Sequence, residues 1–264
     1  MAAGWNVVER NKGGRGNLLL IHGHGDDSSS WEPLYRDPSL SHYSTFAFDL
    51  PGCGHTPVDI VHGEYTLDSV IRAIEELIDS PELRQRSFTV VGHSLGGVIA
   101  TLLAERNPSR FNAVVDVEGN LTSHDSFWSG RVVKYGLGAL QVLRDAVKAR
   151  SATDPEMARY ASALAKADAR AYFVMAQALV EWSTGSRAGR RYLALKQPHV
   201  YCGSDSDSFP QDSRLFLEGA GATVLTFPGT SHWVMNAGDF GSRLASWIDT
   251  NVHLGPAFNG LSHE

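Results

Sequence analysis

The chain has 264 residues, of which 42% are hydrophobic and 20% are charged. This composition is that of an ordinary globular protein with enough apolar material for a large core. The net charge of −6 argues against a nucleic-acid partner, because phosphate backbones favour a basic surface. No apolar run approaches the length that a membrane span needs, so no membrane partner is expected.

The N-terminus and the cysteines indicate a cellular compartment. Residues 1–6 have neither the basic nor the apolar segment of a secretory signal. The two cysteines, Cys53 and Cys202, do not have the spacing of a metal site. We therefore expect a cytoplasmic protein without disulfides. The sequence leaves the oligomeric state open and is compatible with a homodimer.

Strands and helices alternate along the first 120 residues. After a short strand at 5–8, apolar runs predict strands at 17–21, 44–49, 88–91 and 113–117. Helices are predicted near 30–35, from the N-cap residue Thr66 to Ile78, and over 98–104. Strands that are nearly all apolar are typical of a parallel sheet covered by helices on both faces. The sequence thus predicts an α/β fold.

The pattern changes between residues 121 and 194, where alanine-rich helical segments replace the strands. Asp154 and Pro155 are typical of a helix start, with an N-cap followed by proline at the first helical position. Strand patterns return at 199–202 and 223–227, and a closing helix is predicted over 233–252. We predict an α/β core formed by 1–120 and 195–264, interrupted by a helical cap at 121–194.

The candidate nucleophile is Ser94, in the sequence Gly92-His93-Ser94-Leu95-Gly96. A Gly-x-Ser-x-Gly pattern between a strand and a helix places the serine at the apex of a sharp turn. A serine hydroxyl needs a base to take its proton during attack. His232 is the candidate base, because it follows the last predicted strand and its unperturbed pKa is near neutral pH.

Four motifs together resemble the α/β-hydrolase fold superfamily. They are His22-Gly23 after a strand, the loop 49–54, the turn at 92–96, and Ser231-His232. The resemblance implies a mostly parallel sheet flanked by helices and a Ser–acid–His catalytic triad without a cofactor. It also implies an oxyanion hole formed by the backbone amides of His24 and Leu95.

The acid of the triad has two candidates. A carboxylate must orient the histidine, and in most members of the family it follows the penultimate strand, where Asp205 and Asp207 lie. The usual Gly-x-x-Asp spacing would place it at Ser206 instead. Glu118 directly follows the strand at 113–117, and the resemblance to fungal zearalenone lactonases, which take their acid from this strand, favours it. We predict Glu118, with Asp205 as the alternative.

The cap is rich in aromatic residues and methionine, most of which are expected to pack it on the core. We predict that Trp128, Trp182, Tyr160 and Met157 line an apolar pocket above Ser94. The predicted activity is hydrolysis of a carboxylic ester or lactone of a small to medium apolar molecule. A carbon–carbon bond hydrolase or an acyltransferase with the same triad is the alternative, and a non-catalytic ligand receptor is less favoured.

A competing hypothesis concerns His22, His24 and Asp26, which match half of the metal motif of metallo-β-lactamase-like hydrolases. The full motif needs a further histidine where Asp27 stands. It would also leave the serine turn and the Ser231-His232 loop unexplained. No metal site is therefore predicted.

Overall fold

The computed structural model describes residues 3–205 and 212–253. This part of the chain forms a seven-stranded sheet in the order β1-β3-β2-β4-β5-β6-β7. The strands are β1 (Val7–Arg10), β2 (Gly16–Ile21), β3 (Tyr43–Phe48), β4 (Phe88–His93), β5 (Phe111–Val117), β6 (His199–Ser204) and β7 (Val224–Phe227). Only β1 pairs antiparallel, so the predicted mostly parallel α/β sheet is confirmed for the described residues.

Helices cover both faces of this sheet. The helices are α1 (Glu32–Arg36), α2 (Leu67–Ile78), α3 (Leu95–Arg106), α4 (Phe127–Tyr135), α5 (Ala139–Arg150), α6 (Pro155–Lys166), α7 (Ala169–Ser183), α8 (Arg187–Leu193), α9 (Asp212–Gly219) and α10 (Phe240–Asn251). Alternate strand residues point to opposite faces. Leu19 and Val90 therefore pack with α2 and α3, whereas Leu20 and Val91 pack with α10. No helix in residues 3–205 and 212–253 has both the length and the apolarity required to cross a bilayer.

Two predicted helix starts agree with the structure, whereas α3 begins at Leu95, ahead of its predicted start at Val98, and the closing helix begins later than predicted. Thr66 caps α2 by accepting from the Ser69 amide, and Asp154 caps α6. The closing helix was predicted from Trp233, but α10 begins at Phe240. The intervening segment forms a short 3₁₀ helix at Val234–Asn236, whose buried apolar residues resemble a helical face in sequence.

The region between β5 and β6 holds α4 to α8, as the change in sequence pattern indicates. Helices α7 and α8 contribute Met175, Leu179 and Tyr192 to the same apolar cluster as α2 and α3. Helices α4 and α5 pack with α6 and α7 in a second, smaller cluster that includes Leu140 and Leu164. The division of the chain into a core and a cap at 121–194 stays a prediction.

Candidate active site

Ser94 lies at the sharp turn that joins β4 to α3. Its backbone angles, φ 54° and ψ −116°, are ones that residues other than glycine rarely adopt. A Cβ on Gly92 would lie 2.1 Å from the Gly96 carbonyl oxygen, so the flanking glycines are required by the close approach of the backbone. The Ser94 amide donates to the Val117 carbonyl at 2.9 Å. The turn is thereby fixed to the end of β5.

Glu118 follows β5 directly and also has a positive φ, of 52°. Its Oε1 accepts from the Ser204 amide at 2.5 Å, and its Oε2 lies 3.7 Å from His232 Nδ1. The latter distance exceeds that of a hydrogen bond. Catalytic hydrogen bonds are often long without substrate and shorten in the complex. The structure thus brings the predicted acid and the predicted base together.

The alternative acid has a different partner. Asp205 Oδ1 accepts from the Gly229 amide at 2.8 Å, in an exposed contact between the loops that follow β6 and β7. Asp207, the neighbouring carboxylate, lies outside the described residues. Asp205 therefore bonds to a surface loop, whereas the Glu118 carboxylate lies next to the His232 ring.

The His232 backbone is held by His93, the residue before the nucleophile. His93 Nε2 donates to the His232 carbonyl at 3.0 Å, and the two rings lie 4.7 Å apart. Burial lowers the pKa of His93 well below its usual value, so its imidazole is neutral. Sequence reasoning did not assign this role to His93, although its place inside the Gly-x-Ser-x-Gly pattern puts it at the site.

Asp26 connects the histidine loop with the predicted cap. Its carboxylate is buried and accepts from Trp233 Nε1 at 3.0 Å and from Arg159 Nη2 of α6 at 2.9 Å. Trp233 is the residue after His232. The sequence pattern could not reveal this contact, because 133 residues separate Arg159 from Asp26.

Asn120 contacts the nucleophile itself. The Ser94 hydroxyl donates to Asn120 Oδ1 at 3.1 Å, and Asn120 Nδ2 donates to the Asp125 carbonyl at 2.7 Å. Beneath this turn, the fully buried Asp116 accepts from the Gly119 amide at 2.7 Å. Burial raises the pKa of Asp116 well above its usual value, which favours the neutral acid. The sequence alone assigns no role to Asn120.

The two residues predicted to form the oxyanion hole have distinct surroundings. Leu95 is the first residue of α3, so its amide has no partner within the helix. The His24 ring stacks on Tyr172 at 3.8 Å, and its Nε2 donates to the Tyr172 carbonyl at 2.8 Å. Burial lowers the pKa of His24 to about 4, so this ring is neutral. The side chain thus contacts α7, and the use of the His24 amide for an oxyanion stays a prediction.

The three side chains of the half metal motif, His22, His24 and Asp26, all have hydrogen-bond partners within the protein. His22 Nδ1 donates to the Gly23 carbonyl at 2.8 Å, and its Nε2 accepts from the Leu50 amide at 2.9 Å. His24 and Asp26 bond as described above. Within residues 3–205 and 212–253, no group of three or more His, Cys, Asp or Glu side chains is arranged to hold a metal ion.

The four predicted pocket residues fall into two pairs. The Tyr160 hydroxyl donates to the His24 carbonyl at 3.1 Å, and Met157 packs beside it on α6. Trp128 is 52% exposed with Arg131 above its ring. Trp182 lies under Arg187 and lines a surface groove between α2, α3 and α7. The structure therefore brings Tyr160 and Met157 towards the Ser94 site and sets Trp128 and Trp182 beside arginines on the helical surface.

A mostly parallel sheet with a strained serine turn and a glutamate–histidine pair at the strand ends is typical of the family that the motifs resemble. The profile of the alpha/beta hydrolase fold family matches residues 16–206. The chain belongs to this family, and the resemblance stated from its motifs is confirmed.

Curated relatives match a shorter part of the chain. The pimeloyl-[acyl-carrier protein] methyl ester esterase of Shewanella woodyi is 33% identical over 116 residues, which cover 43% of this chain and 41% of that protein. A probable lysophospholipase of Arabidopsis thaliana, BODYGUARD 2, is 32% identical over 39% of this chain and 22% of its own length. Human epoxide hydrolase 4 is 34% identical over 38% of this chain and 27% of its own length. The chain thus spans less than half the length of the curated relatives it matches.

Solved structures match nearly the whole chain. The enol-lactonase of Burkholderia xenovorans has a TM-score of 0.73 at 19% identity, covering 93% of this chain and 96% of that one. A carboxylesterase structure from Nitrososphaera gargenis has a TM-score of 0.75 at 16% identity, covering 93% and 94%. At this level of identity the likeness establishes the fold alone.

Proposed function

We propose that this protein is a serine hydrolase that cleaves a carboxylic ester or lactone of a small to medium apolar molecule. The observation that carries the proposal is the Glu118 carboxylate 3.7 Å from His232 Nδ1, next to a serine in a strained strand–helix turn. The relatives named as an esterase and a probable lysophospholipase support cleavage of a carboxylic ester bond. A serine at the turn disfavours the epoxide hydrolase branch, which the family resemblance associates with an aspartate nucleophile.

The proposed chemistry has two half-reactions. Ser94 Oγ attacks the acyl carbon while His232 takes its proton, and Glu118 stabilises the imidazolium that forms. The amides of Leu95 and His24 stabilise the oxyanion. The leaving oxygen receives the proton from His232, and water then attacks the acyl-enzyme by the same route. No cofactor takes part.

We also propose that residues 121–194 form a cap over the site and that the protein is cytoplasmic. The Tyr160 hydroxyl bonds to the His24 carbonyl and Met157 packs beside Tyr160 on α6, so of the four predicted residues these two are the best candidates for the wall of the acyl pocket. Trp128 and Trp182 lie beside Arg131 and Arg187 on the helical surface and would join this wall only after the cap helices or their side chains rearrange.

The experiment that tests the nucleophile is active-site labelling with a fluorophosphonate. We expect stoichiometric labelling of the wild-type protein and none of Ser94→Ala, because the reagent reacts with a serine whose hydroxyl is activated by a base. Ser30→Ala, which removes another buried hydroxyl, serves as the control and should label normally. Absent labelling of the wild type, or persistent labelling of Ser94→Ala, would refute the serine-hydrolase proposal.

A further inference from the structure

The hydroxyl of Ser94 has an acceptor that the triad does not include. It donates to Asn120 Oδ1 at 3.1 Å, and both side chains are more than nine-tenths buried. Asn120 belongs to the same three-residue turn as Glu118, which approaches His232. One turn at the end of β5 therefore contacts both the nucleophile and the base.

The orientation of the Asn120 amide is determined by its other contacts. Its Nδ2 donates to the Asp125 carbonyl at 2.7 Å, and since a carbonyl oxygen only accepts, the oxygen of the amide must face Ser94. The Asn120 carbonyl accepts from the Ser183 hydroxyl at 3.3 Å, and Asp125 closes the turn by accepting from the Thr122 amide. Asn120 is thus a fixed acceptor, not a rotating side chain.

A fixed acceptor at this position has opposite effects on the two half-reactions. The serine hydroxyl has one proton, so in the first half-reaction Asn120 competes with His232 for it. Once Ser94 is acylated, its oxygen has no proton to donate. Asn120 Oδ1 then faces an ester oxygen, and two acceptors cannot form a hydrogen bond with each other. An unsatisfied buried acceptor is unfavourable. A water molecule has two protons and can donate one to His232 and the other to Asn120.

We propose that Asn120 is a catalytic residue of the second half-reaction, in which its Oδ1 accepts a hydrogen bond from the water that hydrolyses the acyl-enzyme. This inference rests on the proposed function. The water oxygen bonds to the acyl carbon, and one water proton passes to His232. The bond from the acyl carbon to Ser94 Oγ then breaks, and Oγ takes the proton from His232. The second proton stays on the water-derived oxygen of the acid, and Asn120 orients it without accepting it.

The test separates acylation from deacylation with p-nitrophenyl butyrate in a stopped-flow instrument. In Asn120→Leu, which has a similar shape but no acceptor, we expect the rate of fluorophosphonate labelling and the rate of acylation to be unchanged or increased. Deacylation should fall roughly tenfold, the size of one lost hydrogen bond to the attacking group. Intact-mass spectrometry of acid-quenched samples should then show a larger fraction of butyryl-enzyme than in the wild type.

Two further variants keep this test decisive. Asn120→Ala also removes the acceptor and should give the same result if leucine disturbs folding. Ser30→Ala, which removes a buried hydroxyl that makes no contact with Asn120, is the control and should leave both rates near wild type. If the rates of labelling and deacylation fall by the same factor in Asn120→Leu and Asn120→Ala, Asn120 has a structural role and the proposal is wrong. The proposal is also wrong if the rate of deacylation does not change. Loss of labelling in the wild type itself would instead refute the hydrolase assignment.

Discussion

Glu118 has a backbone conformation that glutamate rarely adopts, and the strain has a structural explanation. At φ 52°, the chain leaves β5 and turns sharply, so that the side chain crosses the end of β6 to reach the Ser204 amide. That hydrogen bond and the contact of the Glu118 amide with the Cys202 carbonyl, at 3.0 Å, hold the carboxylate in place. A glutamate is long enough to reach the histidine from this neighbouring strand.

Replacing each candidate acid by its amide distinguishes Glu118 from Asp205. In Glu118→Gln, kcat for a p-nitrophenyl ester should fall by about 10³ to 10⁴, because an amide cannot stabilise the imidazolium or fix its tautomer. The amide oxygen can still accept from the Ser204 amide, so the fold should persist. Asp205→Asn is the matched control and should be close to wild type. The reverse order of the two losses would contradict the assignment of Glu118.

The sequence alone predicts Ser94, His232 and two candidates for the acid, because these predictions depend on motif and chain order. It does not predict the contacts that Asn120, His93 and Asp26 make at the site. The contacts of these residues depend on how loops from different strands meet at one edge of the sheet, as in the 139 residues that separate His93 from His232. Such distances do not follow from hydrophobic periodicity.

Helix α6 is joined to the loop after β2 by two ion pairs of unequal burial. Arg159 binds Asp26, whose side chain is 2% exposed, and the same carboxylate accepts from Trp233 next to His232. Lys166 binds Asp27, which is 6% exposed, at 3.1 Å, but Lys166 itself is 39% exposed, against 23% for Arg159. An ion pair whose cation is more exposed to solvent is screened more strongly and contributes less to stability.

We therefore expect unequal effects from the same change at these two positions. Arg159→Met should lower the free energy of unfolding by about 3 kcal/mol and reduce kcat, because Asp26 then holds Trp233 and the histidine loop less firmly. Lys166→Met should lower it by less than about 1 kcal/mol and leave kcat unchanged. Urea unfolding and ester hydrolysis measure both quantities. Equal effects of the two substitutions would show that burial does not decide the contribution of these pairs.

At the level of elements, apolar runs predicted the central strands β2, β4 and β5 well, because these strands are mostly apolar and buried. The edge strand β1, which is only half apolar, begins two residues later than predicted. Apolar periodicity placed the start of the closing helix too early, because Trp233 and the short 3₁₀ helix that follows it, with Val234 and Met235, are buried ahead of α10. Periodicity reports that a residue is buried, and it does not report which neighbour covers it.

At the scale of the whole molecule, α7 and α8 belong to the main apolar cluster although they lie in the predicted cap. Met175 of α7 is 4% exposed and packs in the cluster that contains α2 and α3. The change in composition near residue 121 reveals the helical region, but it cannot show that part of this region shares its core with the sheet. Domains that share an apolar core usually unfold together.

We expect a single cooperative unfolding transition, with the same midpoint by tryptophan fluorescence and by far-UV circular dichroism. Met175→Ala should lower the free energy of unfolding by about 2–4 kcal/mol and shift both signals together, because it leaves a cavity where α7 packs in the same apolar cluster as α2 and α3. Val142→Ala on α5, where the side chain is 70% exposed, should change it by less than about 0.5 kcal/mol. Two separate transitions would show that 121–194 unfolds as an independent domain.

The turn at 118–120 also has a consequence for protein engineering. With Glu118 as the acid, Asp205 has no part in the proposed chemistry, and its carboxylate accepts from the Gly229 amide in a surface contact. A reporter tag inserted directly after Asp205 should therefore leave turnover intact. The turn itself should tolerate far less change, because Glu118 depends on the Ser204 amide and Asn120 depends on the Asp125 carbonyl.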